Sequence, residues 1–297
     1  MKKYVLTGAA GNITKPLALH LIKAGHQVTV IGRNAENMKS LTDAGATKAI
    51  GSIEDEAFLT ETFRGADAVY TMVPPNWAIS TWVDYIGNIG EIYARAIKAA
   101  GVIKVVNLSS VGAHMPEGAG PVSGLYRVEQ ALNKLEGVDV LHLRPAYFYH
   151  NLMASVGLVK GMSIIGGNFG GDNKVPMVHP EDIAEAAFEA LNSLSFNGQS
   201  VQYVVGDDVD GATVAKAIGE AIGKPELPWI QFEDQANLQG AIGAGVPPHH
   251  AELFTEMGRA LRTGTMSSHY RETDGKIHGK RKISDFAKEF AGAYSAS

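Results

Sequence analysis

The sequence predicts an α/β fold built around a doubly wound parallel sheet, with a smaller, mostly helical C-terminal lobe. Three observations predict it. Short apolar, β-branched runs alternate with helical stretches from the first residues, the pattern of strands buried on both faces of a sheet between crossover helices. The first run ends in a glycine turn that opens a helix. After Pro145 the alternation loosens into glycine-rich and then largely helical sequence.

Residues 4–8, 27–32, 47–51, 68–73, 104–110 and 139–145 read as six strands. The helix between the fourth and fifth is the clearest, because Val83, Ile86, Ile89, Tyr93 and Ile97 recur at helical spacing over 81–100 and make one apolar stripe. Strand, helix, strand in sequence implies right-handed crossovers, and in such a sheet ligands bind beyond the carboxyl ends of the strands. Farther on, 174–178 and 201–205 read as strands and 180–191 as a helix that opens with Pro180, Glu181 and Asp182. We therefore expect a nucleotide-binding domain over 1–155 and a substrate or lid lobe over 156–297, with 174–206 returning to the main sheet.

Composition removes several function classes. At 45% hydrophobic and 19% charged, 297 residues suffice for a large core. The net charge of -5 comes from scattered acids and bases without a basic block, so no nucleic-acid partner is expected. With no cysteine there are no disulfides, thiolate metal sites or thiol redox chemistry, and a redox role requires a borrowed cofactor. Met1, Lys2 and Lys3 lead into a strand too short for a signal-peptide core, and no later run reaches the ~20 apolar residues of a membrane span. The expectation is a cytoplasmic protein with no membrane partner.

The turn reads Thr7, Gly8, Ala9, Ala10, Gly11, Asn12, Ile13, Thr14 and passes into a helix through Leu17, Ala18, Leu21 and Ile22. Glycines at 8 and 11 let the backbone bend and approach a pyrophosphate, which sits against the positive end of the helix. In this context the pattern predicts a Rossmann-type dinucleotide site. Thr14 stands where a third glycine is usual, which fits either looser packing of helix on strand or a hydroxyl that holds the turn or a phosphate. At the end of the second strand, where an NAD site places an acid on the ribose, the chain has Arg33. A guanidinium there can pair with a 2′-phosphate and lie on the adenine, which favours NADP over NAD; the same residue also fits a solvated surface.

These residues resemble the NmrA-like group of atypical short-chain dehydrogenases, which includes NADPH-dependent quinone reductases and NADP-sensing regulators. The resemblance rests further on Gly65 to Tyr70 leading to Pro74 and Pro75, on Val105 to Ser110, on Val128 to Leu132, on Leu143, Arg144 and Pro145, and on Val178 to Ala184. It implies that Met72, Val73 and Pro74 line the adenine and ribose side, that Leu108 and Pro145 also border the cofactor, and that Ser109 and Ser110 end a strand beside the nicotinamide.

The departure comes at the acid–base position. Conventional short-chain dehydrogenases use Tyr-x-x-x-Lys, where the lysine lets a phenol of pKa about 10 exchange its proton near neutrality. Here Tyr126 is followed four residues on by Gln130, which carries no charge. Tyr126 thus fits either a hydrogen bond to substrate or plain helix packing. A quinone is an activated acceptor that needs the nicotinamide held against it and a proton from solvent or a nearby donor, so quinone reduction survives the missing lysine better than carbonyl chemistry.

Other candidates have bland alternatives beside them. His114, in the loop after the fifth strand, could donate a proton or simply be solvated. His142, inside an apolar strand, reads as a hydrogen-bonded core residue. His249 and His250 are adjacent and point different ways on a helix, so no metal is expected. Tyr147, Phe148, Tyr149 and Asn151 follow the sixth strand, where a substrate pocket opens in this fold; they fit either stacking on an aromatic substrate or core packing. Trp229, Phe232, Met257 and Met266 fit a far wall or the lobe's own core, and Lys280 to Lys282 read as a solvated helix start. Two functions stay open: an NADPH-dependent oxidoreductase acting on a quinone or similar small molecule, with Ser109, Ser110 and Tyr126 or His114 orienting it, and a non-catalytic NADP(H) sensor acting on a protein partner.

Overall fold

A computed structural model of the chain describes residues 1–9 and 11–296; Ala10, expected in the phosphate turn, lies outside the described residues. The first half alternates β1 (Lys3–Leu6), α1 (Thr14–Lys23), β2 (Gln27–Gly32), α2 (Lys39–Asp43), β3 (Thr47–Ile50), α3 (Glu56–Phe63), β4 (Ala68–Thr71), α4 (Trp82–Ala100), β5 (Lys104–Leu108), α5 (Val122–Asn133) and β6 (Asp139–Pro145). There follow β7 (Tyr147–Phe148), α6 (Val156–Met162), β8 (Ile165–Gly167), β9 (Val175–Val178), α7 (Pro180–Ser193), β10 (Gln199–Val204) and β11 (Asp207–Val209). The last elements are α8 (Gly211–Ala221), β12 (Trp229–Gln231), α9 (Asp234–Gly243), α10 (Pro248–Arg262), α11 (Ser268–Thr273) and α12 (Ile283–Ala296).

Seven strands form the main sheet in the order β10-β6-β5-β4-β1-β2-β3. The pairs from β6 to β3 are parallel. The chain winds outward from β1 through β2 to β3, then returns to β4 on the other side of β1. This is the Rossmann-type doubly wound arrangement, and the reversal between β1 and β4 opens a crevice at the carboxyl ends of those strands. The strands are legible for a physical reason: β4 and most of β5 are buried on both faces, so they carry apolar residues continuously rather than alternately.

The chain divides into two compact units that interleave in sequence: Met1–Ser110, Gly124–Arg144 and Ile183–Gln202 form the first, and Val111–Ser123, Pro145–Asp182 and the residues from Tyr203 onward form the second. Of the segment expected to return to the main sheet, β10 takes its edge, whereas β9 pairs with β7 and β11 in a separate three-stranded sheet.

In the first unit, α4 buries Ile86, Ile89, Tyr93 and Ile97 and stops at Gly101, whose φ of 72° closes the helix in the left-handed region. Close approach of α4 and α5 depends on missing side chains. A Cβ at Gly90 would strike the Val128 backbone, and one at Gly124 would strike Ile86. This contact fixes α5, and with it Tyr126 and Glu129, over the sheet.

A polar chain crosses the strands beneath. The Thr71 hydroxyl donates to Asn107 Oδ1 at 2.9 Å, the Asn107 amide meets His142 Nδ1 at 3.1 Å, and His142 Nε2 meets Asn133 Oδ1 at 2.9 Å. With Asn107 donating to Nδ1, His142 carries its proton on Nε2 and is neutral. Burial holds its pKa below the usual histidine value, with the nearby Arg144 adding to the effect and Glu129 opposing it. Protons therefore bind the unfolded chain more readily, so this contribution to stability is complete above about pH 6.5 and is lost as pH falls below it. The thermal midpoint should drop between pH 7.5 and 5.5, and drop less in His142→Gln; equal pH dependence in both proteins would refute the role.

In the second unit, β8 and β12 form a parallel pair, and α12 lies along α8. Tyr149 is a core residue: it is buried, stacks on Phe286 with ring centres 5.7 Å apart, and donates to Asp207 at 2.8 Å. The run at 280–282 corrects the expectation of a solvated helix start. Arg281 donates to Asp182 at 2.6 Å and to Glu181 at 2.7 Å, and Lys282 donates to the Gly206 carbonyl at 2.6 Å. Acids at the opening of α7 hold Arg281, a pairing that proximity in sequence could not reveal, while Lys280 stays exposed. Among the described residues, no helix is long and apolar enough to cross a membrane.

Candidate functional site

The first unit carries a cleft of about 360 Å³ at the carboxyl ends of β1 to β4, lined by Gly8, Gly11, Arg33, Met72, Pro74 and their neighbours. Its floor follows from the glycine turn. Gly8 has φ 75°, a conformation that costs an L side chain roughly 1–2 kcal/mol, and a Cβ there would collide with the Met72 sulfur. The Gly11 N–H donates to the Gly8 carbonyl at 3.0 Å and closes the turn.

Buried threonines brace that floor from below. The Thr7 hydroxyl accepts the Met72 N–H at 2.8 Å and donates to the Met72 carbonyl at 3.2 Å, stitching the end of β1 to the end of β4. Tyr93 donates to the same carbonyl at 2.7 Å. Thr14 donates its hydroxyl hydrogen to the Thr7 carbonyl at 3.1 Å, so where a third glycine is usual, this chain uses a hydrogen bond to hold α1 on β1. The helix itself has no side-chain cap at Ile13 and no acid in its first turn. Its positive end is left open to an anion.

Arg33 is exposed on the cleft, and its guanidinium makes no hydrogen bond or ion pair among the described residues. Asn12 is exposed, Ile13, Thr14 and Leu108 are buried, and Val73 is half-buried; none of these lines the cleft. Sequence reasoning did not single out Ser52, Ile53 and Glu54 at the end of β3, or Asn76 and Tyr85 at the approach to α4, which complete the lining. The strand-end rule would have flagged them, since ligands bind beyond the carboxyl ends of just such strands.

The acid–base candidates are placed differently from one another. Ser109 is buried and donates to Glu129 at 2.5 Å, and Arg144 grips the same carboxylate twice, through Nε at 2.9 Å and a terminal nitrogen at 2.6 Å. Its hydroxyl hydrogen is committed to a buried ion pair. Ser110 and Tyr126 are half-buried in the same unit, with Gln130 exposed one turn beyond Tyr126.

The remaining candidates belong to the second unit. His114 Nε2 lies 3.2 Å from the Ser268 hydroxyl, and its ring centre is 5.5 Å from that of His269. Pro145 is buried, Tyr147 and Phe148 are half-buried, and Asn151 is exposed. Tyr147 meets Phe169 at 5.0 Å, and Phe169 meets Trp229 at 5.7 Å, an aromatic run internal to this unit. Met266 is core, packed over Gly112. His249 and His250 join no group of three possible metal ligands among the described residues; the one such group is His150, His179 and Glu289. There the Glu181 N–H meets His179 Nδ1 at 3.2 Å and His179 Nε2 meets Glu289 at 2.8 Å. The Nε2 proton that this pattern requires stands where a metal would bind.

Three comparisons bear on this arrangement. A model of the NmrA-like family matches residues 1–268. The NAD(P)H azoreductase of Xenophilus azovorans is 24% identical over 298 residues, spanning 99% of each chain. Among solved structures, the NADPH-dependent quinone oxidoreductase of Escherichia coli, complexed with NADPH, aligns with a TM-score of 0.82 and 20% identity over 96% of this chain and 99% of that one. The triphenylmethane reductase of Citrobacter sp., complexed with NADP(H), aligns at 0.79 and 20% over 97% and 99%. At these identities the structural likeness concerns the fold.

Proposed function

The chain belongs to the NmrA-like family, and on that footing we propose that it binds NADP(H) in the first-unit cleft and reduces a quinone or similar conjugated, electron-poor small molecule. One observation carries the reading: an unpaired arginine shares the cleft with a glycine turn that leads into an uncapped helix. The turn at Gly8, where a Cβ would strike the Met72 side chain that lines the cleft, and the open helix end fit a diphosphate. Arg33 fits the 2′-phosphate. That the similar proteins include an azoreductase, a quinone oxidoreductase and a triphenylmethane reductase supports the substrate class.

Bound there, a reduced nicotinamide supplies hydride, and a quinone takes it with one proton to leave as hydroquinone. The protein's part is to bind, orient and exclude. Ser109, spent on Glu129, is assigned to holding the end of β5 rather than to the acceptor. Ser110 and Tyr126 are assigned to hydrogen bonds that orient the acceptor, with water as proton source, since Gln130 cannot stabilise a phenolate. The sensor reading draws on the same two facts, a committed Ser109 and an uncharged position 130.

Loss of NADPH absorbance with a panel of quinones and azo dyes, beside calorimetric titration of the four pyridine nucleotides, separates these readings. Turnover establishes the reductase; tight binding with every acceptor inert establishes the sensor. Arg33→Asp should shift the ratio of NADPH to NADH affinity about a hundredfold toward NADH, roughly the 2.7 kcal/mol of a lost charge-assisted pair plus a new repulsion. An unchanged ratio removes Arg33 from the site.

A further inference from the structure

The cleft lining contains two charged residues, Arg33 and Glu54. The first has a function in the reading above and the second does not. Glu54 is exposed in the cleft on the loop after β3, where its backbone N–H is tied to the Ser52 hydroxyl at 3.2 Å. Its Oε1 accepts the Tyr85 hydroxyl at 3.0 Å. A phenol has one proton. Given to Glu54, it fixes the direction of the bond, which holds the carboxylate on the cleft wall. The other oxygen, Oε2, has no partner among the described residues.

An ionised carboxylate only accepts hydrogen bonds. Of the groups a dinucleotide presents beyond its ribose 2′ position, the phosphate is repelled by Glu54 and drawn to Arg33, whereas an exocyclic amine is drawn to Glu54. We propose that Glu54, steadied by Tyr85, reads the 6-amino group of the cofactor's adenine and rejects a 6-oxopurine, whose C6 oxygen would set acceptor against acceptor. Glu54 is then a specificity-determining residue and Tyr85 a positioning residue. This assignment rests on the dinucleotide reading and adds base selectivity to it.

The test compares NADPH with reduced nicotinamide hypoxanthine dinucleotide phosphate, which carries a 6-oxo group in place of the adenine amine. Calorimetric titration of the wild-type protein should give about tenfold tighter binding of NADPH, the scale of one hydrogen bond to a charged group at a half-open site. Glu54→Gln, whose amide can both donate and accept, should bring the two affinities within about twofold of each other. Tyr85→Phe, which keeps the carboxylate but releases it, should lower the ratio partway, and Glu54→Asp should keep part of the preference. Equal binding of both nucleotides by the wild-type protein overturns the assignment without needing any variant, and so does a preference that persists in Glu54→Gln. If the wild-type protein binds neither nucleotide, the dinucleotide reading itself fails and takes this one with it.

Discussion

Arg144→Met should destabilise the protein by about 3–5 kcal/mol, the cost of leaving one member of a buried ion pair without its partner. Glu129 is 2% exposed, and in the variant its carboxylate would keep only the Ser109 hydroxyl while both oxygens stayed away from water. For a chain of this size the thermal midpoint should fall by roughly 10 °C. Removing both charges is a different experiment. In Arg144→Met with Glu129→Leu no uncompensated charge remains, and the double variant should recover most of the loss, because a buried pair contributes little beyond what its own desolvation costs. A single variant as stable as wild type, or a double variant that loses as much as the sum of the singles, would sink this account.

That pair also bears on chemistry. Ser109 follows β5, Glu129 sits on α5 and Arg144 on β6, so their contact pins the helix that carries Tyr126 to those strands. If Tyr126 orients an acceptor, the double variant should keep cofactor affinity yet raise KM for the acceptor. Ordinary loss of fold would lower both together.

Much of the fold could be read from residue order because its signals are local. The short β-branched runs, the stripe on α4 and the glycines at 8 and 11 each occupy a few consecutive turns of chain, and each has one structural solution. Four of the six strands end one or two residues before the apolar runs do, with Gly8, Gly51, Met72 and Ser109 falling outside them, whereas β2 and β6 match their runs. What resisted reading depends on side chains meeting across long separations. Glu54 and Tyr85 are 31 residues apart, and Arg281 finds Asp182 across 99. Glu129 and Arg144 each stand in a segment that carried the family resemblance, yet only three dimensions reveal that they are one unit and that Ser109 belongs to it. Thr14 shows the opposite case: its place in the turn is legible in the sequence, and in the structure its hydroxyl donates to the Thr7 carbonyl.

Gly8→Ala should weaken binding of NADPH about a hundredfold while leaving a folded protein. Two terms contribute. The backbone at φ 75° penalises the methyl group by roughly 1–2 kcal/mol in the folded state, partly offset by the lower chain entropy of alanine when unfolded, and that term lowers stability whether or not nucleotide is present. The second term acts on the ligand alone. The new methyl occupies space now held by the Met72 side chain; methionine is flexible and can yield, but Met72 itself lines the cleft, so it yields by entering or reshaping the volume the nucleotide needs. The Met72 backbone cannot retreat, because Thr7 and Tyr93 hold both its N–H and its carbonyl. Stability and affinity should therefore part company: a modest fall in thermal midpoint without nucleotide, and near disappearance of the upward shift that saturating NADPH gives the wild-type protein. Pairing Gly8→Ala with Met72→Ala makes the point sharper. The smaller neighbour removes the collision and leaves only the backbone strain, so a large part of the lost affinity should return; if the double variant binds as poorly as the single one, the glycine is needed for its backbone alone and the steric argument fails.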